Sequence, residues 1–480
     1  MKTDSPLTFY LRILLVSIFI ALLGLTPTPH AAGTLLDNAY QSIAAGDLQD
    51  AAKNLAGAAS YFPWRDDLNL EAAHNAFQAG DPKSTIEYLE RPGTISQLTT
   101  DDLIMLGDAY NQSDNSAIAE AIWKHVTELG DSILANQRLV DLYLQQKDYA
   151  SAANYSQKLL FLDPSNVHLY YQIGILYAVT DPVKALPFLA QAVETDPANA
   201  SDAQVLHDKI RTANLFDEPA YTYLIIGRQL ANFGDWEFAS VAFKRAVSLR
   251  PGYADAWALL SEAHQQITLQ ETGLASNVGL PELELALQLD GNSILANTLM
   301  GLYWERQEDY SQAQQYLEHA IAFSPDDPYL YAELANILSK AGDLPAAQSA
   351  YESAIRLTPQ DPLFYRQLAE FAMENQIQIR ELALPAARQA ILLNPRDASS
   401  LDVMAQVMLM LQDYHSAERF SLSALQSDPE FSPAYLHLGT AYIYMGESIL
   451  ARQWLGLAET VNPDSWVAAQ AKRLIDFYFP

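Results

Sequence analysis

Two stretches, PEFSPAYLHLGTAYIYMGESILARQWLGLAETVNP at residues 429–463 and PDDPYLYAELANILSKAGDLPAAQSAYESAIRLTP at residues 325–359, carry one pattern. The first orders Tyr435, Leu438, Gly439, Tyr442, Gly446, Ala451, Leu455, Ala458 and Pro463; the second orders Tyr331, Leu334, Ala335, Leu338, Gly342, Ala347, Tyr351, Ala354 and Pro359. Leu438, Gly439 and Tyr442 fall at i, i+1 and i+4, which is one face of a helix. Ala451, Leu455 and Ala458 do the same on a second helix. Gly446 and Gly342 suit the turn between the two, where the backbone needs a positive φ. The closing prolines stop the second helix, because proline removes a donor and clashes with the preceding turn. Glycine and alanine mark where two helices cross, since a larger side chain would push the axes apart. One such helical hairpin cannot bury its apolar face alone, so the fold is a stack of them.

The frame extends along most of the chain after residue 32. Its clearest version runs Tyr223, Ile226, Gly227, Leu230, Gly234, Asp235, Trp236, Ala239, Phe243, Ala246, Pro251. Further copies begin near Thr100, Ile133, Val167, Ile294, Pro328, Ala398 and Ser432, with weaker ones near Ala32 and Asp66, and the frame fits about twelve times. The pattern W/Y-x-x-L-G-x-x-Y, G-D-Y/W-x-x-A, F/L-x-x-A and a closing proline resembles the tetratricopeptide repeat. That resemblance implies an all-α, right-handed α-solenoid superhelix of helix-turn-helix repeats. It also implies a function in recognising other proteins or peptides.

The expected organisation is a signal peptide or membrane anchor at 1–32 and repeats one to five at 33–197. A helical insert follows at 198–219, then repeats six to twelve at 220–463 and a capping helix at 464–480. The copy from Ala254 is expected to hold a longer loop around Gln270 to Gly279, and the copy from Pro362 about two extra residues before Ala383. Arg91-Pro92-Gly93 interrupts the second copy, and Thr180-Asp181-Pro182 is a shortened turn in the fifth.

The N-terminus places Lys2 and Arg12 before an apolar run, Ile13 to Leu25, of the length of a signal-peptide core. Small residues at Ala31, Ala32 and Gly33 permit cleavage, and an uncleaved anchor is the alternative. Either way the repeats are expected outside the cytoplasmic membrane of a bacterium, with membrane contact confined to residues 13–25. The 480 residues hold 28 Lys+Arg against 58 Asp+Glu, a formal charge of -30, which argues against nucleic acid as a ligand. There is no cysteine, so disulfides, thiol chemistry and cysteine metal sites are excluded.

No constellation carries catalysis, and no cofactor, metal or catalytic residue is expected. The histidines show no H-E-x-x-H spacing, and no G-x-S-x-G or P-loop motif occurs. Asp101-Asp102 and Asp326-Asp327 read as helix caps. The many tyrosines sit at packing positions of the motif. The resemblance to the family implies that first helices line a concave groove and that positions 2, 5, 9 and 12 of each unit face a partner. Those positions give His168, Tyr171 and Ile175, then Tyr221, Leu224 and Arg228, and further on Tyr329, Asn336 and Arg366. The Lys/Asn set of the family's carboxylate-binding grooves is absent. The groove of units five and six is the expected partner site unless the insert at 198–219 covers it, in which case units eight to ten take over. Two functions stay open: a scaffold that organises envelope proteins, and an accessory subunit of an envelope enzyme or a secretion or polysaccharide-export machine. Oligomeric state is not legible.

Overall fold

The computed structural model describes residues 28–479 apart from 92, 198–199 and 275–276. The described residues are α-helical with short links and contain no strand. The expected export segment, residues 13–25, lies outside them. They divide into two compact units, one ending at Glu218 and the other starting at Pro219.

In the first unit the helices are α1 (Thr28–Ala45), α2 (Leu48–Tyr61), α3 (Asp66–Gln78), α4 (Pro82–Leu89), α5 (Thr100–Gln112) and α6 (Ser116–Leu129). They continue as α7 (Ile133–Gln145), α8 (Tyr149–Leu162), α9 (Val167–Thr180), α10 (Pro182–Thr195) and α11 (Ser201–Asn214), with a 3-10 turn at Thr94–Gln97. Consecutive helices from α1 to α10 pair into antiparallel hairpins. Helix α11 stands outside the pairing and packs on α10.

The second unit runs α12 (Pro219–Asn232), α13 (Trp236–Leu249), α14 (Ala254–Thr272), α15 (Leu280–Leu289), α16 (Ile294–Arg306) and α17 (Tyr310–Phe323). It continues α18 (Pro328–Lys340), α19 (Leu344–Leu357), α20 (Pro362–Glu374), α21 (Leu384–Leu393), α22 (Ala398–Met410) and α23 (Tyr414–Ser427). It closes with α24 (Ser432–Met445), α25 (Ser448–Val461) and α26 (Trp466–Tyr478). Helix α26 lays Val467, Ala471 and Ile475 over Leu436, Leu455 and Ala458. Fold class is therefore the one the spacing requires: an all-α solenoid of stacked hairpins.

Local chemistry fixes the hairpins. Asp47, Asp81, Asp148, Asp309, Asp343 and Asp413 each cap a second helix by accepting a backbone N–H three residues on. Each such cap contributes roughly 1 kcal/mol. Gly46, Gly80 and Gly342 supply the positive φ before three of these caps, Asp47, Asp81 and Asp343. The seam inside a hairpin is equally specific. A Cβ placed on Gly227 would meet the Phe243 ring at 2.5 Å, and one on Gly107 would meet Trp123 at 2.4 Å. Both aromatic rings are fully buried and fill the space a side chain would need.

Three irregularities differ in detail from the reading of the sequence. Helix α14 continues to Thr272 and ends at Gly273 in the left-handed conformation, so the long loop is shorter than the sequence suggests. The extra residues before Ala383 are absorbed as a π-helical turn at Ile379–Ala383, where Ala383 N–H reaches the Gln378 carbonyl. Between α9 and α10 a single residue, Asp181, makes the turn.

Candidate functional site

Within the second unit, first helices touch first helices: α14 meets α16, α18 meets α20, α20 meets α22, and α22 meets α24. Second helices instead pack on the first helix of their own hairpin and of the next. The first helices therefore line the inner side of this stack.

That inner side carries a ladder of polar and charged pairs, each joining one first helix to the next or to its cap. Arg306 holds Glu262 in a two-pronged pair at 2.6 and 2.8 Å and donates to Gln265 Oε1 at 2.7 Å. Lys340 donates to Glu305 Oε1 at 2.6 Å, and Asn336 to the same oxygen at 3.3 Å. Arg366 pairs with Asp397, and His437 Nδ1 lies 2.6 Å from Asp402 Oδ1.

Between α18 and α20 the ladder changes character. Asn375 Nδ2 donates to Ser339 Oγ at 3.0 Å, but Glu333 and Glu370 make no hydrogen bond or ion pair among the described residues. Burial pushes the Glu333 carboxyl up, and Glu305 adds to it. Burial likewise pushes Glu370 up to about 7, against the pull of Arg366 and with the repulsion of Glu374 and Asp402. Behind them Tyr351 on α19 is raised by burial and then by Glu374, Glu333 and Glu370. Three carboxylates thus act on one buried phenol.

A pH dependence follows. The fold holds the Glu370 proton more tightly than the unfolded chain does, so its contribution is complete below pH about 4.5 and is lost as pH rises through about 7. The loss is at most about 3 kcal/mol at one unit per 1.36 kcal/mol. Glu370→Gln should remove this slope from a series of denaturation curves between these pH values. A wild-type profile that matches the variant's contradicts the assignment.

The residues singled out from the sequence fall out differently. On α9, His168 is exposed and Tyr171 half-buried; both line a pocket of about 150 Å³ whose far wall is Ala200 and Ala203 beside α11. Ile175 is 8 % exposed. On α12, Tyr221 is half-buried, Arg228 is exposed and Leu224 is 4 % exposed. Ile175 and Leu224 are thus corrected to core residues: position counting along a helix does not register what packs beside it. These six residues lie three on each unit.

In the second unit Tyr329 is exposed, edge-on to Phe364 at 5.3 Å. Asn336 and Arg366 are engaged as members of the ladder. The ladder itself was missed from the sequence. Its signal was an acid and a base separated by about one repeat, as in Glu305 and Lys340 or Asp402 and His437.

Of the four aspartates read as caps, Asp102 and Asp327 make capping bonds. Asp327 accepts the Tyr329 N–H, and Asp102 forms a capping box with Thr99 while its other oxygen meets His74 Nε2 at 2.7 Å. Among the described residues no group of three or more His, Asp or Glu could hold a metal ion, and no helix is long and apolar enough to cross a membrane.

Residues 306–374 match the family model described as tetratricopeptide repeat, so the chain carries repeats of this kind in its second unit. No curated protein matches the sequence. Among solved structures, the chain is similar to yeast Tom70, with 15% identity over 94% of this chain and 96% of that one and a TM-score of 0.45. It is also similar to the APC/C hetero-tetramer Cut9-Hcn1, with 13% identity over 95% and 97% and a TM-score of 0.42. YrrB, described as a tetratricopeptide repeat protein with an unusual peptide-binding site, matches at 17% identity over 40% of this chain and 97% of its own, with a TM-score of 0.30.

Proposed function

We propose that this chain is a non-enzymatic scaffold that holds partner proteins on the inner, first-helix side of its second unit, outside the cytoplasmic membrane. The observation that carries the reading is the pair of unpartnered carboxylates, Glu333 and Glu370, set in a ladder in which Glu262, Glu305, Asp397 and Asp402 are matched. A cationic segment of a partner supplies the missing charge. It also offsets the burial that raises Glu370, and the lesser repulsion from Glu374 and Asp402. The overall charge of -30 favours the approach of such a partner. Export is supported by Arg12 followed by the apolar run Ile13 to Leu25.

Two measurements test the reading separately. Residues 1–40 fused to a reporter active only outside the cytoplasm should give activity; a reporter confined to the cytoplasm overturns the location. Capture of envelope proteins on the immobilised chain should yield a partner whose binding weakens about tenfold in Glu333→Gln/Glu370→Gln, as for removal of buried charge pairs, and weakens with added salt. Binding indifferent to both overturns the inner-face site.

A further inference from the structure

The two edges of the first unit differ in chemistry. On one edge each first helix turns into its second helix, through Gly46-Asp47, Ala79 to Asp81, Ser113 to Asn115, Gln146 to Asp148 and Asp181. None of these links holds a large apolar residue. Ile118 and Val183, in the first turns of α6 and α10, are exposed near this edge. On the other edge each second helix leads back to the next first helix, and large apolar side chains stand open at one link after another. Tyr61 ends α2, and Trp64 follows it in the link to α3, 74 % exposed. Ile95 lies exposed in the 3-10 turn between α4 and α5. Exposed Leu129 and Ile133 flank the link from α6 to α7, and exposed Phe161 precedes the link from α8 to α9.

The start of the described chain lies on this apolar edge. Helices α1 and α2 are antiparallel, and a Cβ on Gly57 would meet the Leu35 side chain at 3.4 Å. Tyr61, one turn after Gly57, is therefore level with the turn before Leu35. Trp64 then stands at the level of the first turn of α1, which begins at Thr28. Upstream of Thr28 the sequence is the apolar run Ile13 to Leu25. Tryptophan and tyrosine are the side chains that concentrate at a membrane surface, with the ring among the headgroups and the polar atom toward water. A helix as long as the run 13–25 spans about 20 Å, less than a hydrocarbon core of about 30 Å. Held in a bilayer, such a helix draws the residues that follow it down to the headgroups.

We propose that the first unit lies with its apolar edge on the membrane that residues 13–25 enter, with Trp64 and Ile95 among the headgroups. This rests on the location proposed above and is independent of the inner-face site. The same edge carries the exposed acids Asp67, Asp101 and Asp131, and its Arg65 is paired with Asp67. The surface it fits is therefore zwitterionic, since anionic lipid repels these carboxylates.

The chain has no cysteine, so one introduced thiol carries one environment-sensitive fluorophore. The full chain, residues 1–27 included, is reconstituted in phosphatidylcholine vesicles with the label on Ile95→Cys, Leu129→Cys or, near the other edge, Val183→Cys. All three positions are exposed, so the fold is kept. The protein should float with the vesicles. Emission should shift to the blue at 95 and 129 and keep its water value at 183. Phosphatidylglycerol in the vesicles should reverse part of the shift, and Trp64→Asp should reverse most of it. Flotation with water-like emission at 95 and 129 overturns the docking and leaves the proposed location standing. A chain that does not float overturns the docking together with the entry of residues 13–25 into the membrane. A blue shift at all three positions, as for adsorption without orientation, overturns it too, as does a shift indifferent to Trp64→Asp.

Discussion

Ala239→Arg is expected to open the hairpin α12–α13. Ala239 is 0 % exposed and lies one helical turn before Phe243, which fills the space above Gly227. A guanidinium there has to displace that ring or drag its charge into the seam. Overpacking alone costs roughly 1–3 kcal/mol, and burying an unpaired charge adds several more. Because each hairpin of a solenoid rests on its neighbours, the damage stays local and then spreads. Amide hydrogen exchange should show protection lost in residues 219–249 before it is lost elsewhere. Ala239→Gly, which adds nothing to the seam, should lose only about 1 kcal/mol, the helix-interior cost of glycine. Unaltered protection in the arginine protein would show that position 239 is not at the crossing.

Arg306→Ala is expected to be almost as damaging, for the opposite reason. It removes the charged partner of Glu262, whose side chain is 11 % exposed, and leaves that carboxylate with only the Gln266 carboxamide donating to it. Breaking one side of a buried pair costs about 3–5 kcal/mol, whereas replacing both sides by apolar residues is often neutral. Glu262→Leu/Arg306→Met should therefore recover most of the denaturation midpoint lost by Arg306→Ala. If the double variant is as unstable as the single one, the pair stabilises through packing of the arginine stem and not through its charge.

The hairpins were legible because they are encoded locally. Helices start at Thr100, Ile133, Val167, Ile294, Pro328, Ala398 and Ser432, where the spacing places them. Five of them follow side-chain caps at Thr99, Ser132, Ser293, Asp327 and Asp397. What faces the inner side was less legible. Ile175 and Leu224 occupy the positions that point to a groove, yet they are buried, because burial is decided by neighbours far along the chain. Arg306 and Lys340 went unread because a cation at the end of a helix has an ordinary local explanation in the helix dipole. Their partners, Glu262 and Glu305, lie a whole repeat away.

The seam described for Gly227 and Phe243 also sets how this chain can change over generations. Sixteen residues separate the two, and the same separation joins Gly107 to Trp123, Gly301 to Leu317 and Gly439 to Leu455. At the equivalent places Ala335 meets Tyr351, while Val140 answers Ser156 and Ala405 answers Ser421. Valine at the first place goes with a serine at the second, and alanine with either tyrosine or serine, even though the hydroxyls of Ser156 and Ser421 are buried without a partner. What the seam demands is that each pair fit without clash, not a residue identity. A lineage can therefore cross from Gly–Phe to Val–Ser only through an intermediate that is overpacked or hollow. Seam positions should drift in coupled pairs, while the exposed faces of the same helices drift singly.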